Sequence, residues 1–198
     1  MLIKHALRRL LKAPAFTAIA VLTLAVGIGA NGAIFSVVNG ILLKPLRYVH
    51  PEALVAVDHS APGVNLKSAG AAPFLYFTYR EQAKTFQDVG LWRSDTDSVT
   101  GVGDPEEIRT VDVTDGVLPI LGVKPLLGRL FTRADDAPGG AATMILSYGY
   151  WRSRFGADPS TIGRRVLVNG KPREVIGVLS EPFRFLDRDA SAFMPLQL

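Results

Sequence analysis

The sequence predicts an α+β protein: one N-terminal transmembrane helix, followed by an α+β domain with an antiparallel sheet. Three observations predict it. From Ala13 to Leu43, 31 residues pass without a charged side chain, directly behind the basic stretch Lys4-His5-Ala6-Leu7-Arg8-Arg9-Leu10-Leu11-Lys12. Further on, Asn169-Gly170 separates two segments rich in valine and isoleucine, and Asn-Gly suits the positive φ angles of a type I′ hairpin turn. Between them, Phe74, Tyr76, Phe77, Arg80, Ala83 and Phe86 follow a mixed three- and four-residue spacing, the mark of an amphipathic helix.

The elements follow in order. In residues 1–12, Leu2, Ile3, Ala6, Leu7, Leu10 and Leu11 alternate at helical spacing with Lys4, Arg8, Arg9 and Lys12. That pattern describes an amphipathic leader lying on the cytoplasmic membrane surface. Residues 13–43 exceed the roughly 20 residues a helix needs to cross an apolar core of about 30 Å, and Pro14 suits a first-turn position. Positive charge before the span places the N-terminus in the cytoplasm and residues 44–198 outside, although Lys44 and Arg47 follow it. A cleaved signal peptide is the competing reading, with Ile28-Gly29-Ala30 as its cleavage site, but the apolar run continues well past the length of such a signal. Within the span Ala25, Gly29 and Ala33 form one line of small residues, and Gly32, Ser36 and Gly40 an adjacent one. Such lines let a second helix approach closely, with Asn31 and Asn39 placed to hydrogen-bond across the contact.

Pro45 and Pro51 end the span. Residues 54–57 form a short strand candidate, 60–72 a loop, and 73–89 the amphipathic helix, whose aromatics are expected in the core. Two strands, 90–100 and 106–113, flank Gly101-Val102-Gly103-Asp104-Pro105. Thr114 or Asp115 is placed to cap a short helix over 117–121 that Gly122 closes. Residues 144–146 form a strand, and Ser147 caps a helix over 148–155. Segments 164–168 and 173–179 make the Asn169-Gly170 hairpin.

Composition excludes several functions. The chain has a net charge of +4, but the four cations of residues 1–12 account for it, and the remaining 18 Lys/Arg match the 18 Asp/Glu. A nucleic-acid binder places its excess charge on the folded domain, so no nucleic-acid partner is expected. There is no cysteine, and the only histidines are His5, His50 and His59, which leaves no basis for a thiolate or imidazole metal site. The stretch 163–171 lacks phosphate-loop spacing and sits on a hairpin, and no nucleophile elbow occurs. Asp135-Asp136 and Asp187-Arg188-Asp189 read as solvated turn carboxylates. No catalytic residue, cofactor or metal is expected.

Longer motifs carry a resemblance. Leu10-Leu11-Lys12-Ala13-Pro14-Ala15-Phe16-Thr17, continuing through Gly27-Ile28-Gly29-Ala30-Asn31-Gly32-Ala33-Ile34-Phe35-Ser36-Val37-Val38-Asn39, resembles the first transmembrane segment of MacB/FtsX-like ABC-transporter permeases, most of all the large duplicated permeases without a fused ATPase. Leu121-Gly122-Val123-Lys124-Pro125-Leu126-Leu127-Gly128-Arg129-Leu130-Phe131 is similar to their periplasmic core domain. So are Leu146-Ser147-Tyr148-Gly149-Tyr150-Trp151-Arg152-Ser153-Arg154-Phe155-Gly156, Asp158-Pro159, Ile162-Gly163, and the hairpin from Val168-Asn169-Gly170 to Val175-Ile176-Gly177-Val178. The resemblance implies a non-catalytic inner-membrane component that couples ATPase-driven motion to the periplasmic side. It implies membrane lipid, an ABC ATPase subunit, further permease helices or a second copy, and a periplasmic adaptor as partners. It also implies that residues 44–198 are a partial core domain, with Pro195-Leu196 on a strand whose edge is left unpaired. The alternative function is a secreted or anchored periplasmic binding module with a signal peptide.

Overall fold

The computed structural model describes residues 12–38, 48–186 and 188–198. The chain divides into two compact units, Met1–Pro45 and Leu46–Leu198. In the first, helix α1 spans Pro14–Val38 and carries no acidic or basic side chain at either end. The hydroxyls of Thr17 and Thr23 donate to the carbonyls of Ala13 and Ile19 at 3.0 and 2.9 Å, which satisfies them on their own helix as an apolar solvent requires. The predicted leader up to Leu11, Asn39 and Gly40 lie outside the described residues.

The second unit is built on a seven-stranded sheet: β1 (Trp92–Thr100), β2 (Glu106–Val113), β3 (Pro125–Gly128), β4 (Thr143–Leu146), β5 (Arg165–Val168), β6 (Lys171–Leu179) and β7 (Ala192–Pro195). Six of these strands close into a ring, β1-β2-β7-β4-β6-β5, and β3 joins β6 beside it. The expected purely antiparallel sheet is therefore corrected to a mixed, barrel-like one, because β2 pairs with β7 and β4 with β6 in parallel. Parallel neighbours need long crossovers rather than tight turns. The one from β4 to β6 carries helix α5 (Tyr148–Phe155) and a 3-10 turn at Pro159–Thr161.

Each helix has a local reason. Helix α2 (Pro73–Gln82) starts on proline and stops where Ala83 turns extended (φ −76°, ψ 117°), short of the predicted residue 89. Its aromatics divide: Tyr76 is buried, whereas Phe74 and Phe77 are 66% and 44% exposed, so the core expectation holds for Tyr76 alone. Helix α3 (Val117–Ile120) has Gly116 at its N-cap without a side-chain cap. Thr114 is instead taken by Leu91, whose N–H donates to its hydroxyl at 2.9 Å, and Asp115 by Arg80 at 2.8 Å. Helix α4 (Arg133–Asp136), which the sequence reading lacked, opens on a Thr132/Asp135 capping box. At α5 the predicted cap is present: Ser147 accepts from the Tyr150 N–H. Residues 54–57 form no strand, and Val55 there is 70% exposed.

The hairpin turn has φ 48° at Asn169 and 73° at Gly170, both positive as type I′ requires. Strand β7 is not an edge: it is hydrogen-bonded to β2 on one side and β4 on the other. The unpaired edge expected at Pro195-Leu196 is thus absent, because the crossovers insert the last strand into the middle of the sheet. Central strands bury both faces. Met144, Leu146, Val175, Val178, Ala192 and Met194 pack in one cluster with Tyr150, Trp151 and Phe155 of α5. Ile145, Ile176, Leu179 and Phe193 pack in the other with Leu118 and Phe185. Strands β3 and β6 approach so closely at Gly128 and Gly177 that a side chain on either would strike backbone of its neighbour.

Ring closure is short. Strand β1 meets β5 only at Val99↔Val168 and Thr100↔Leu167, extended by Asn169, whose carboxamide oxygen accepts from Ser98 N–H at 2.9 Å and whose amide donates to the buried Asp97. Asn169→Gly keeps the positive φ and removes both bonds. It should lower stability by about 1–3 kcal/mol, since Asp97 loses a partner while buried. The readout is a lower urea midpoint for the full chain in detergent, at unchanged slope.

Candidate functional site

Within α1 the stretch Pro14–Val37 is 24 residues long and, by length and composition, apolar enough to cross a membrane. Large apolar side chains point outward all round it, among them Phe16, Leu22, Ile28, Ile34 and Phe35. The predicted small-residue lines fall on this helix. Ala25, Gly29 and Ala33 repeat at four-residue intervals, as do Gly32 and Ser36, so each line runs along one face. A Cβ added at Gly29 or Gly32 would meet nothing within 4 Å. Asn31 donates to the Gly27 carbonyl at 2.9 Å, leaving its second N–H and its carbonyl as the groups able to reach a partner.

In the second unit the charged side chains mostly serve structure. Asp135 is buried and takes a two-pronged ion pair from Arg129 (2.6 and 2.9 Å) together with the Thr132 N–H and hydroxyl. Asp136 accepts the backbone N–H groups of Asp115 and Gln197 at 3.1 and 2.9 Å, which fixes the segment after β7. These two carboxylates are therefore not the solvated turn residues expected. The sequence signal that identifies the first is the spacing Thr132-x-x-Asp135, a capping box. Asp189 is exposed and pairs with Arg184 at 3.1 Å; Asp187 lies outside the described residues. Asp112, buried on β2, holds Arg93 at 2.5 Å, and burial raises its carboxyl above the ordinary range despite that partner.

His59 lies between the Tyr79 hydroxyl (2.9 Å) and the Gly70 carbonyl (3.0 Å), and so ties the 60–72 loop to α2. Among the described residues no group of three or more His, Asp or Glu is arranged to hold a metal ion. Two open grooves adjoin the 188–190 segment. One, of about 560 Å³, runs along β1 and β2 past Arg109 and Arg188; the other, of about 400 Å³, passes the start of α5. Arg188 lies over the Trp92 ring, 4.9 Å from its centre, so its cation is engaged by packing.

The comparisons agree with this architecture. The family model described as "MacB-like periplasmic core domain" matches residues 17–198. No curated protein matches the chain. Among solved structures, the periplasmic region of MacB from Actinobacillus actinomycetemcomitans is similar with a TM-score of 0.56 and 19% identity, over 71% of this chain and 62% of that one. The extracellular domain of the noncanonical ABC-type transporter YknZ from Gram-positive bacteria is similar with a TM-score of 0.54 and 20% identity, over 70% of each chain. Both likenesses concern the fold. This chain spans less than two thirds of the MacB periplasmic region.

The Arg129–Asp135 pair gives a pH dependence. Arg129 foremost, then Thr132, hold the Asp135 carboxyl down to about 2 from the ordinary 3.8, against the opposing effect of burial. A depressed carboxyl contributes its full stability above its unfolded value and loses it as pH falls through the folded one. Asp135→Asn should therefore cost about 1–2 kcal/mol at neutral pH, discounted because Arg129 is half exposed. Its deficit against the parent should close between about pH 4 and pH 2. Burial raises Asp112 and Asp136 instead, so the measured quantity is the difference between parent and variant melting curves.

Proposed function

Since the chain belongs to the family of MacB-like periplasmic core domains, we propose that it is the membrane-anchored periplasmic portion of an ABC-type export permease. It is non-catalytic, and it couples motion driven by a cytoplasmic ATPase to the periplasmic side. The observation that carries this reading is the pairing of one exposed, charge-free α1 with a barrel-like unit of the family's fold on the same chain. In this reading α1 crosses the inner membrane once, with Lys4, Arg8, Arg9 and Lys12 on the cytoplasmic side and residues 44–198 in the periplasm. Its partners are lipid, an ABC ATPase subunit, further permease helices or a second copy, and a periplasmic adaptor.

Topology and coupling are tested by one label. Ser153 is exposed on α5, and the chain has no cysteine, so Ser153→Cys gives a single thiol. It should react with a membrane-impermeant reagent in intact spheroplasts. Reaction only after lysis reverses the orientation, and a mature N-terminus near Asn31 replaces the anchor with a cleaved signal. A fluorophore on this thiol, in a complex reconstituted with an ABC ATPase subunit, should change its emission when ATP is added. An unchanged signal on ATP turnover removes the coupling role.

The small-residue lines serve helix packing in this reading: Ala25, Gly29 and Ala33 on one, Gly32, Ser36 and Gly40 on the other. Gly29→Leu fills the place where a partner backbone would sit and should cost about 1–2 kcal/mol of association. A membrane two-hybrid signal that does not fall would assign these residues to lipid contact.

A further inference from the structure

Strand β1 is paired with β2 from Trp92 to Val99, but β5 covers only Val99 and Thr100. Among the described residues, 93–96 therefore have no second ladder partner, and all four are exposed. The direction of the free groups follows from Ser98, whose carbonyl accepts from Asn169 N–H at 2.8 Å and whose N–H donates to the Asn169 side chain. Ser98 thus faces away from β2, and by the two-residue alternation of a strand so do Thr96 and Ser94. The Thr96 N–H is occupied by the neighbouring Asp95 carboxylate at 2.8 Å, a local substitute for a missing strand. The other exposed edge is weaker: β3 begins on proline and carries an irregular register against β6.

We propose that this edge of β1 pairs antiparallel with the same edge of a second copy, on a two-fold axis at Ser94. Charge fixes both the occupant and the register. The run Arg93-Ser94-Asp95 is self-complementary: centred on Ser94, each Arg93 lies opposite the other copy's Asp95. Centred on Asp95 the carboxylates oppose each other, and centred on Arg93 the guanidiniums do; like charges directly opposite are destabilising. The Ser94 register also sets outward-facing Ser94 against itself and Trp92 against Thr96, the pairs whose backbone groups point across the seam. Arg93 is already oriented for it. Asp112 holds one side of its guanidinium at 2.5 Å, while Asp95 lies 3.7 Å away on the same strand and the side chain remains 63% exposed. The ladder is short and weak by itself. Anchoring both copies in one membrane through α1 raises their effective concentration, and a weak contact then suffices. The pairing does not depend on ATPase coupling.

The test uses the full chain in native membranes with one introduced cysteine. Hydrogen-bonded antiparallel partners have Cα atoms about 5.5 Å apart, inside the disulfide range. Ser94→Cys should therefore form a disulfide-linked dimer under mild oxidation, on the order of tenfold faster than Glu107→Cys on the exposed face of β2, which reports random collision. Adding Thr96→Pro removes an outward N–H at an edge that tolerates proline, and should bring the rate down to that of Glu107→Cys. Adding Asp95→Arg instead leaves every backbone group in place and sets cation against cation, with the same expected loss, so misfolding is not mistaken for lost pairing. Equal rates at Ser94 and Glu107, an Asp95→Arg variant that cross-links as before, or a product joining the chain to a different protein would each overturn the proposal.

Discussion

The second unit depends on closing a ring of strands through a very small contact. Two of the six junctions in the ring, β4–β7 and β1–β5, share only two positions; the first lies between strands buried throughout, whereas Leu167 of the second is exposed. What holds β1 to β5 is the tip of the β5–β6 hairpin. Asn169, already in the left-handed region, turns its carboxamide across to Ser98 and Asp97, and Asp97 in turn accepts from Thr110 of β2. One turn residue thus links the β5–β6 hairpin to β1, 71 residues away, and through Asp97 to β2. A buried carboxylate needs this treatment, because a desolvated charge without partners is costly.

Closure explains why so few residues suffice to build two cores. In β4, in β7 and in the second half of β6 side chains enter opposite clusters, so all of β4 and β7 and residues 175–179 are buried. A four-residue strand that presents only one face would contribute two apolar side chains; here Thr143–Leu146 and Ala192–Pro195 are buried throughout. The aromatic contacts follow the same economy. Phe193 meets Phe183 and Phe185 on one side of the sheet, while its neighbours Ala192 and Met194 face α5 on the other.

The local parts of this fold were legible in the sequence, and the non-local parts were not. Asn169-Gly170 identified its hairpin because the turn's φ requirement acts on two adjacent residues. Ser147 and the helix behind it were legible because capping acts within three residues, and the long apolar helix α1 because length and apolarity are local sums. The parallel pairings β2–β7 and β4–β6 join segments separated by long crossovers, and a run such as Ala192-Phe193-Met194-Pro195 is apolar whether it ends a sheet or lies in the middle of one. Thr114 and Asp115 looked like helix caps in isolation, yet Leu91 and Arg80, both distant in sequence, compete for them. Asp135 was misread for a different reason: Arg129 and Thr132 are close enough to have signalled a buried pair, but a doublet of aspartates resembles a solvated turn unless the preceding threonine is weighed with it. The small-residue lines of α1 were legible as a pattern, and what packs on them lies beyond a helix described by itself.

The place of β7 in the sheet also has a mechanical side. Its ladder bonds run perpendicular to the strand on the β4 side and slanted on the β2 side. A pull along its axis would therefore load both rows together in shear, whereas a pull across an edge strand opens bonds one after another. Asp136 and Asp135 add further fastenings just past it, through the Gln197 backbone and side chain. Tension applied along this strand is therefore shared between two neighbours on opposite flanks.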